Sequence, residues 1–174
     1  MAKIKIDKNG VEGLKKVAIL SDLNNKELEY ILSISKKIEV PANDIIMTEG
    51  EVGSTMHFFV NGEVKVSKNL TLKIGKKGFG SAEKSMVKLK AEHVSFFGDM
   101  AMFQDEPRSA TITASKDCTL YEISRDSFTR FCIDFPEQGV KVLQRIASTM
   151  AGRVRKGNED ILKLTTALSL ALSK

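Results

Sequence analysis

Between Phe96 and Thr111 the sequence gathers the residue types that hold a small anion. Phe96-Phe97 leads into Gly98, where a missing Cβ permits a sharp turn and close approach of the main chain to a ligand. Asp99 to Phe103 reads as a short helical run, and the amides of Gly98, Met100 and Ala101 at its start suit an anion through unpaired N–H groups and aligned peptide dipoles. Nine residues after Asp99 stands Arg108, whose planar fork can grip two phosphate oxygens at once. Pro107 stiffens the approach, Ser109 adds a hydroxyl, and Ala110 keeps the wall low where a ligand must lie. A lone arginine is ordinarily a surface or salt-bridge residue. Here one phosphate pocket accounts for Gly98, Asp99, Pro107, Arg108 and Ser109 together, whereas an ion pair accounts only for the arginine.

These residues resemble the phosphate-binding cassette of the cyclic nucleotide-binding domains of bacterial activators, kinase regulatory subunits and gated channels. The family pattern Phe-Gly-Glu-(Leu/Met)-Ala is met by Phe97-Gly98-Asp99-Met100-Ala101, and (Pro)-Arg-(Ser/Thr/Ala)-Ala-(Thr/Ser) by Pro107-Arg108-Ser109-Ala110-Thr111. The resemblance implies that Asp99 holds the ribose 2′-hydroxyl, one methylene shorter than the family glutamate. It implies that the Gly98, Met100 and Ala101 amides hold the phosphate, Arg108 its equatorial charge, and Ser109 a phosphate oxygen or the purine edge. Serine after the arginine leans the implied ligand toward cAMP, with cGMP as the alternative. Pro41-Ala42-Asn43-Asp44-Ile45-Ile46, Glu49-Gly50-Glu51-Val52-Gly53 and Val60-Asn61-Gly62-Glu63-Val64 are similar to three corners of the same family. Their glycines read as shapers of a barrel, and Asn43, replacing a family glycine, can accept positive φ. Ile146 to Val154 is similar to the helix that forms the dimer seam in the activators and carries base-contacting hydroxyls. Those contacts fall on Gly157 and Asn158 here, so Asn158 is the candidate polar contact to the base. The chain stops at Lys174, before a DNA-reading domain could be built, so no direct DNA binding is expected.

The elements around the cassette follow from the rhythm of apolar residues. Val11 to Leu20 reads as a short helix. Asn24 and Glu27 have capping-box spacing ahead of a second, which runs to about Lys36. From Ile38 the period changes to two, predicting strands over Ile38–Val40, Ile45–Thr48, Met56–Val60, Val64–Val66, Leu72–Ile74, Met86–Leu89, Ala110–Ala114 and Leu120–Ile123. Many short strands separated by turns mean a sandwich or barrel. Gly75 to Gly80 lacks the Gly-Lys-(Ser/Thr) ending of a phosphate loop and reads as a hairpin tip. Ser124 to Phe135 reads as a short helix stopped by Pro136, which opens a long one. In the long helix Leu143, Ile146, Met150, Val154, Ile161, Leu164 and Leu168 recur mostly at three- and four-residue steps, with an interruption around Gly157. At 1.5 Å per residue it would run roughly 58 Å, longer than a small domain is wide, which predicts self-association. The expected fold class is mainly β with flanking helices, a jelly-roll or double-stranded β-helix roll. Residues 1–135 form the roll with its N-terminal helices, and 136–174 a lid or dimerisation helix.

Composition bounds the rest. The 174 residues, 42% hydrophobic, suffice for one domain with a sizeable core and an appendage. The net charge of +5 divides into 20 basic and 19 acidic side chains over residues 1–135 and 7 basic and 3 acidic over 136–174. That modest excess on the tail reads as a solvated helix face. Cys118 and Cys132 sit in apolar surroundings without metal-ligand spacing and read as free thiols. His57 and His93 share no spacing that could hold an ion, and no serine or cysteine has an evident base, so neither metal nor catalytic residues are expected. The N-terminus lacks an apolar signal core, and Leu164–Leu172 is too short to span a bilayer, which predicts a cytoplasmic protein without membrane insertion. The combined expectation is a cofactor-free, non-enzymatic sensor of a cyclic nucleotide, cAMP first. It would homodimerise through its C-terminal helix or signal to an unidentified protein effector. The alternative is a degenerate member serving as a dimerising scaffold or binding another ligand such as cyclic di-GMP.

Overall fold

The computed structural model describes residues 8–74, 78–91 and 94–173. Residues 1–7, His93 and residues 75–77 of the hairpin tip expected over Gly75 to Gly80 lie outside them, while Gly78 to Gly80 belong to a strand rather than to a turn. The elements in order are α1 (Lys8–Leu14), a 3-10 turn (Ala18–Leu20), α2 (Asn25–Ser33), β1 (Lys36–Val40), β2 (Ile45–Met47), β3 (Thr55–Asn61), β4 (Glu63–Ile74) and β5 (Gly78–Lys90). They continue with β6 (Phe96–Phe97), a second 3-10 turn (Asp99–Met102), β7 (Thr111–Ala114), β8 (Cys118–Ser124), α3 (Arg125–Asp134) and α4 (Pro136–Leu172).

Two four-stranded antiparallel sheets face each other, in the orders β1-β8-β3-β6 and β2-β7-β4-β5. β3 and β8 are the inner strands of the first sheet, and successive residues on each face its two sides. His57 and Phe59 on β3 and Leu120 on β8 point between the sheets, where Phe59 and Leu120 meet Met47, Phe97 and Ile112. Met56, Phe58 and Ile123 point the other way and carry α1, α2, α3 and the first half of α4. The middle of β3, from Met56 to Phe59, is therefore buried on both faces and reads as a continuous run, whereas the edge strand β1 is exposed or half-exposed along its length.

The eight strands are not quite the eight expected. Val64–Val66 and Leu72–Ile74 are one strand, β4, paired with β5 along its whole length. Polar Ser67-Lys68-Asn69 broke the apolar rhythm, but a two-stranded ribbon is held by its backbone ladder and does not require it. The eighth strand is β6, whose two phenylalanines pair with His57 and Phe58. Val11–Leu20 is likewise split by Val17, fully buried with extended backbone. The capping box of α2 forms as expected: Glu27 N–H donates to Asn24 Oδ1 at 3.1 Å and Asn24 N–H to Glu27 Oε2 at 2.7 Å. Asn43 adopts φ 76°, the conformation asked of it. The last helix runs unbroken through Gly157. No helix among the described residues is long and apolar enough to cross a membrane.

Candidate functional site

Phe97, the last residue of β6, hands the chain to Gly98 at φ +78°, and the turn Asp99–Met102 follows at once. A Cβ on Gly98 would sit 3.0 Å from both Arg108 Nη1 and the Thr55 carbonyl, so backbone conformation and space both select glycine. Arg108 lies on the opposite wall. Its backbone N–H donates to the Glu51 carbonyl at 2.8 Å, and its own carbonyl accepts from Gly50 N–H at 2.9 Å, clamping it to the preceding corner. Its guanidinium donates from Nη1 to the Thr55 carbonyl at 2.8 Å and from Nη2 to Thr55 Oγ1 at 3.0 Å. A Cβ on Gly53 would fall 2.7 to 2.9 Å from the same guanidinium. Gly53, read from the sequence as a barrel corner, is thus also the floor under the arginine. Burial pulls Arg108 below its usual pKa and the Glu122 and Glu51 carboxylates pull it back up, leaving a held, half-buried cation.

Gly98, Asp99, Met100, Ala101, Arg108, Ser109 and Ala110 line one cavity of about 160 Å3, together with Phe97, Val66 and Arg153. The cassette expected from sequence is therefore brought together, with one difference in detail: the Ala101 amide donates to the Gly98 carbonyl at 3.2 Å. Asn158 is exposed and is not among the lining residues. It lies five residues beyond Arg153, about 140° around the helix from the side chain that does reach the cavity. Two larger clefts of about 420 Å3 open elsewhere, one beside Glu39 and Asp117 and one beside Lys16 and Lys116. Neither includes a residue of the cassette.

Sequence reasoning missed the partner of Asp99. The Asp99 carboxylate is 3% exposed, and Arg153 from α4 donates from Nη1 to its two oxygens at 2.9 and 2.8 Å. The same guanidinium lies 5.5 Å above the Phe96 ring. The signal was available in Ile146 to Val154, where Arg153 follows Met150 by one helical turn, but nothing local ties it to a residue 54 positions earlier. Arg125, the first residue of α3, was missed for the same reason. Its Nε donates to the Ala101 carbonyl at 2.7 Å and its Nη2 to the Gln104 carbonyl at 2.8 Å, while Nη1 meets Asp105 at 2.7 Å. Both C-terminal helices are thereby fastened to the segment that carries Gly98 and Asp99.

Comparison with known proteins agrees with this geometry. The family model described as the cyclic nucleotide-binding domain matches residues 37–134. The cAMP-dependent protein kinase regulatory subunit of Aspergillus niger is 30% identical over 117 residues, 67% of this chain and 25% of that protein. The cGMP-dependent protein kinase 2 of Mus musculus is 28% identical over 164 residues, 91% of this chain and 20% of that protein. The chain thus spans about a quarter or less of the length of these relatives. Among solved structures, a cyclic nucleotide-binding domain from Methylobacillus flagellatus superposes with a TM-score of 0.68 at 29% identity, covering 88% of this chain and 80% of that one. The catabolite activator protein of Thermus thermophilus shares the fold with a TM-score of 0.67 at 20% identity, covering 84% of this chain and 62% of that one. The roll, its cassette and the family match over residues 37–134 lead to one conclusion: the chain belongs to the cyclic nucleotide-binding domain family.

Proposed function

We propose that the protein is a non-enzymatic sensor of a 3′,5′-cyclic purine nucleotide, cAMP in the first place, and that residues 136–174 transmit its occupancy. The observation that carries this reading is the placement of Arg108 and Asp99 on one cavity with Asp99 gripped by Arg153 of α4. A cyclic phosphate on Arg108 sets the ribose toward Asp99, so its 2′-hydroxyl and Arg153 draw on one carboxylate. Ligand and helix are coupled there, and a ligand shifts a two-state element only by contacting one state better. The cavity of about 160 Å3 is smaller than the roughly 300 Å3 at which small-molecule sites begin, so binding requires α4 or the cassette to yield. Movement of α4 then changes the apolar stripe Val154, Ile161, Leu164 and Leu168, which is exposed along its far half and serves as the seam of a homodimer or the surface for an effector.

The same ion pair favours a second reading, in which Arg153 permanently closes the site and the chain is a dimerising scaffold. Calorimetric titration with cAMP, cGMP and cyclic di-GMP separates the two, with Arg108→Ala as control. The expected result is saturable binding of cAMP that the substitution abolishes. Silence toward both mononucleotides, from folded protein free of retained ligand, overturns the sensor reading.

A further inference from the structure

His57 is buried, its partner Glu122 is half-buried, and neither lines the cassette cavity. His57 sits in the middle of β3, opposite Glu122 on β8 and Phe97 on β6. It is 3% exposed, its Nε2 lies 3.2 Å from Glu122 Oε2, and its Nδ1 is buried without a hydrogen-bond partner among the described residues. The ring stacks on Phe97 at 5.3 Å and 27°, and Phe97 itself lines the cavity next to Gly98. Two residues back on β3, Thr55 accepts two of the guanidinium hydrogen bonds of Arg108, and the Gly98 carbonyl accepts a longer one at 3.5 Å.

We infer that His57, paired with Glu122, is a proton-linked positioning residue for the anion site, so that a proton on the buried ring and an anion on Arg108 favour one another. The inference rests on Arg108 being the anion site of the proposed function. The charged groups that act on His57 are Glu122 from β8 and Arg108 from the segment before β7, while β6 presents the uncharged Phe97. Burial disfavours the imidazolium, Glu122 favours it, and the Arg108 cation disfavours it. With no anion bound, the neutral ring donates its Nε2 proton to Glu122 and leaves Nδ1 as the one place for a second proton. A phosphate monoanion on Arg108 cancels the charge that opposes that second proton. Binding linkage is reciprocal, so protonation of His57 strengthens anion binding by the same factor.

The chain has only two histidines, so the His57 ring can be followed by NMR and identified with His57→Gln. In ligand-free protein, Arg108→Gln is expected to raise the pH at which His57 titrates, Glu122→Gln to lower it, and the charge-preserving Arg108→Lys to leave it near wild type. A His57 titration unmoved by Arg108→Gln in folded protein overturns the inference, whatever the ligand. Cyclic AMP titrated by calorimetry between pH 8 and 5.5, in two buffers of different ionisation heat, should show proton uptake. Affinity should rise about threefold to tenfold toward the acid end, a coupling of up to one pK unit. His57→Gln should flatten that rise while still binding cAMP, and a His57→Gln profile parallel to wild type overturns the inference. Absence of nucleotide binding instead overturns the sensor reading, with the ligand-free titration still deciding the coupling.

Discussion

The two halves of α4 obey different rules although they are one helix of 37 residues. Up to Met150 it is a core element: Val142 and Ile146 are buried, Leu143 and Met150 pack beside them, and Arg145 fastens the outer face to Asp22 with bonds of 2.7 and 2.9 Å. From Ala151 onward every described residue is exposed, including Val154, Ile161, Leu164 and Leu168. Arg153 stands at the boundary and is the last side chain to touch the roll's cassette. Apolar residues recur at helical spacing on both sides of it, with the far stripe interrupted at Gly157, so periodicity alone says that a face can be buried and not by what. The near half is covered by α3 and the N-terminal helices, and the far half must find its cover outside the described chain or remain wet.

The largest expected effect tests the near half. Ile146→Ala removes a fully buried side chain from the cluster beneath α4 and should destabilise the fold by about 2–5 kcal/mol. Leu164→Ala, at 70% exposure, should stay within about 0.5 kcal/mol for the monomer. Chemical denaturation of the two variants at low protein concentration checks both, and equal losses would erase the distinction. A second effect sharpens the role of the far half. Val154, Gly157, Ile161, Leu164 and Leu168 follow one another at steps of three and four, the spacing of a coiled-coil seam. Leu164→Glu combined with Leu168→Glu should convert a dimer to monomer in sedimentation analysis without lowering the unfolding midpoint of the monomer. A wild type that sediments as a monomer at every concentration removes the seam.

What the sequence disclosed and what it withheld follow the same division between local and distant. Gly98, Asp99, Arg108 and Ser109 were legible because their types and spacing fall within one short segment, Gly98 to Ser109, and can be read together as one motif. Thr55, Gly53, Arg125 and Arg153 were not, because their partners lie tens of residues away and only sheet register or helix docking brings them together. In the sequence His57 showed only that it shares no ion-holding spacing with His93. Its distinctive surroundings, Glu122 across the ladder and Phe97 against its ring, belong to the pairing of three strands and not to β3. The strand count matched only because two errors cancelled: the ribbon strand β4 carried too mixed a pattern to show its length and was read as two, while the two-residue β6 was too short to show a period.

The smallest effect discriminates most sharply, because one substitution should change sign between the halves. At Gly139 an added Cβ would lie 2.8 Å from the Cα of Cys132, backbone that cannot swing aside, so α3 and α4 must separate. Gly139→Ala should therefore cost about 1–3 kcal/mol despite alanine's better helix propensity. At Gly152 the same Cβ meets nothing within 4 Å, and the residue lies off the Val154 to Leu168 seam. There propensity acts alone, and Gly152→Ala should stabilise the protein by about 0.5–1 kcal/mol. Thermal unfolding of the pair reads both signs in one experiment. A destabilising Gly152→Ala would mean that the far half is packed against something at that face, and that the boundary drawn at Arg153 is in the wrong place.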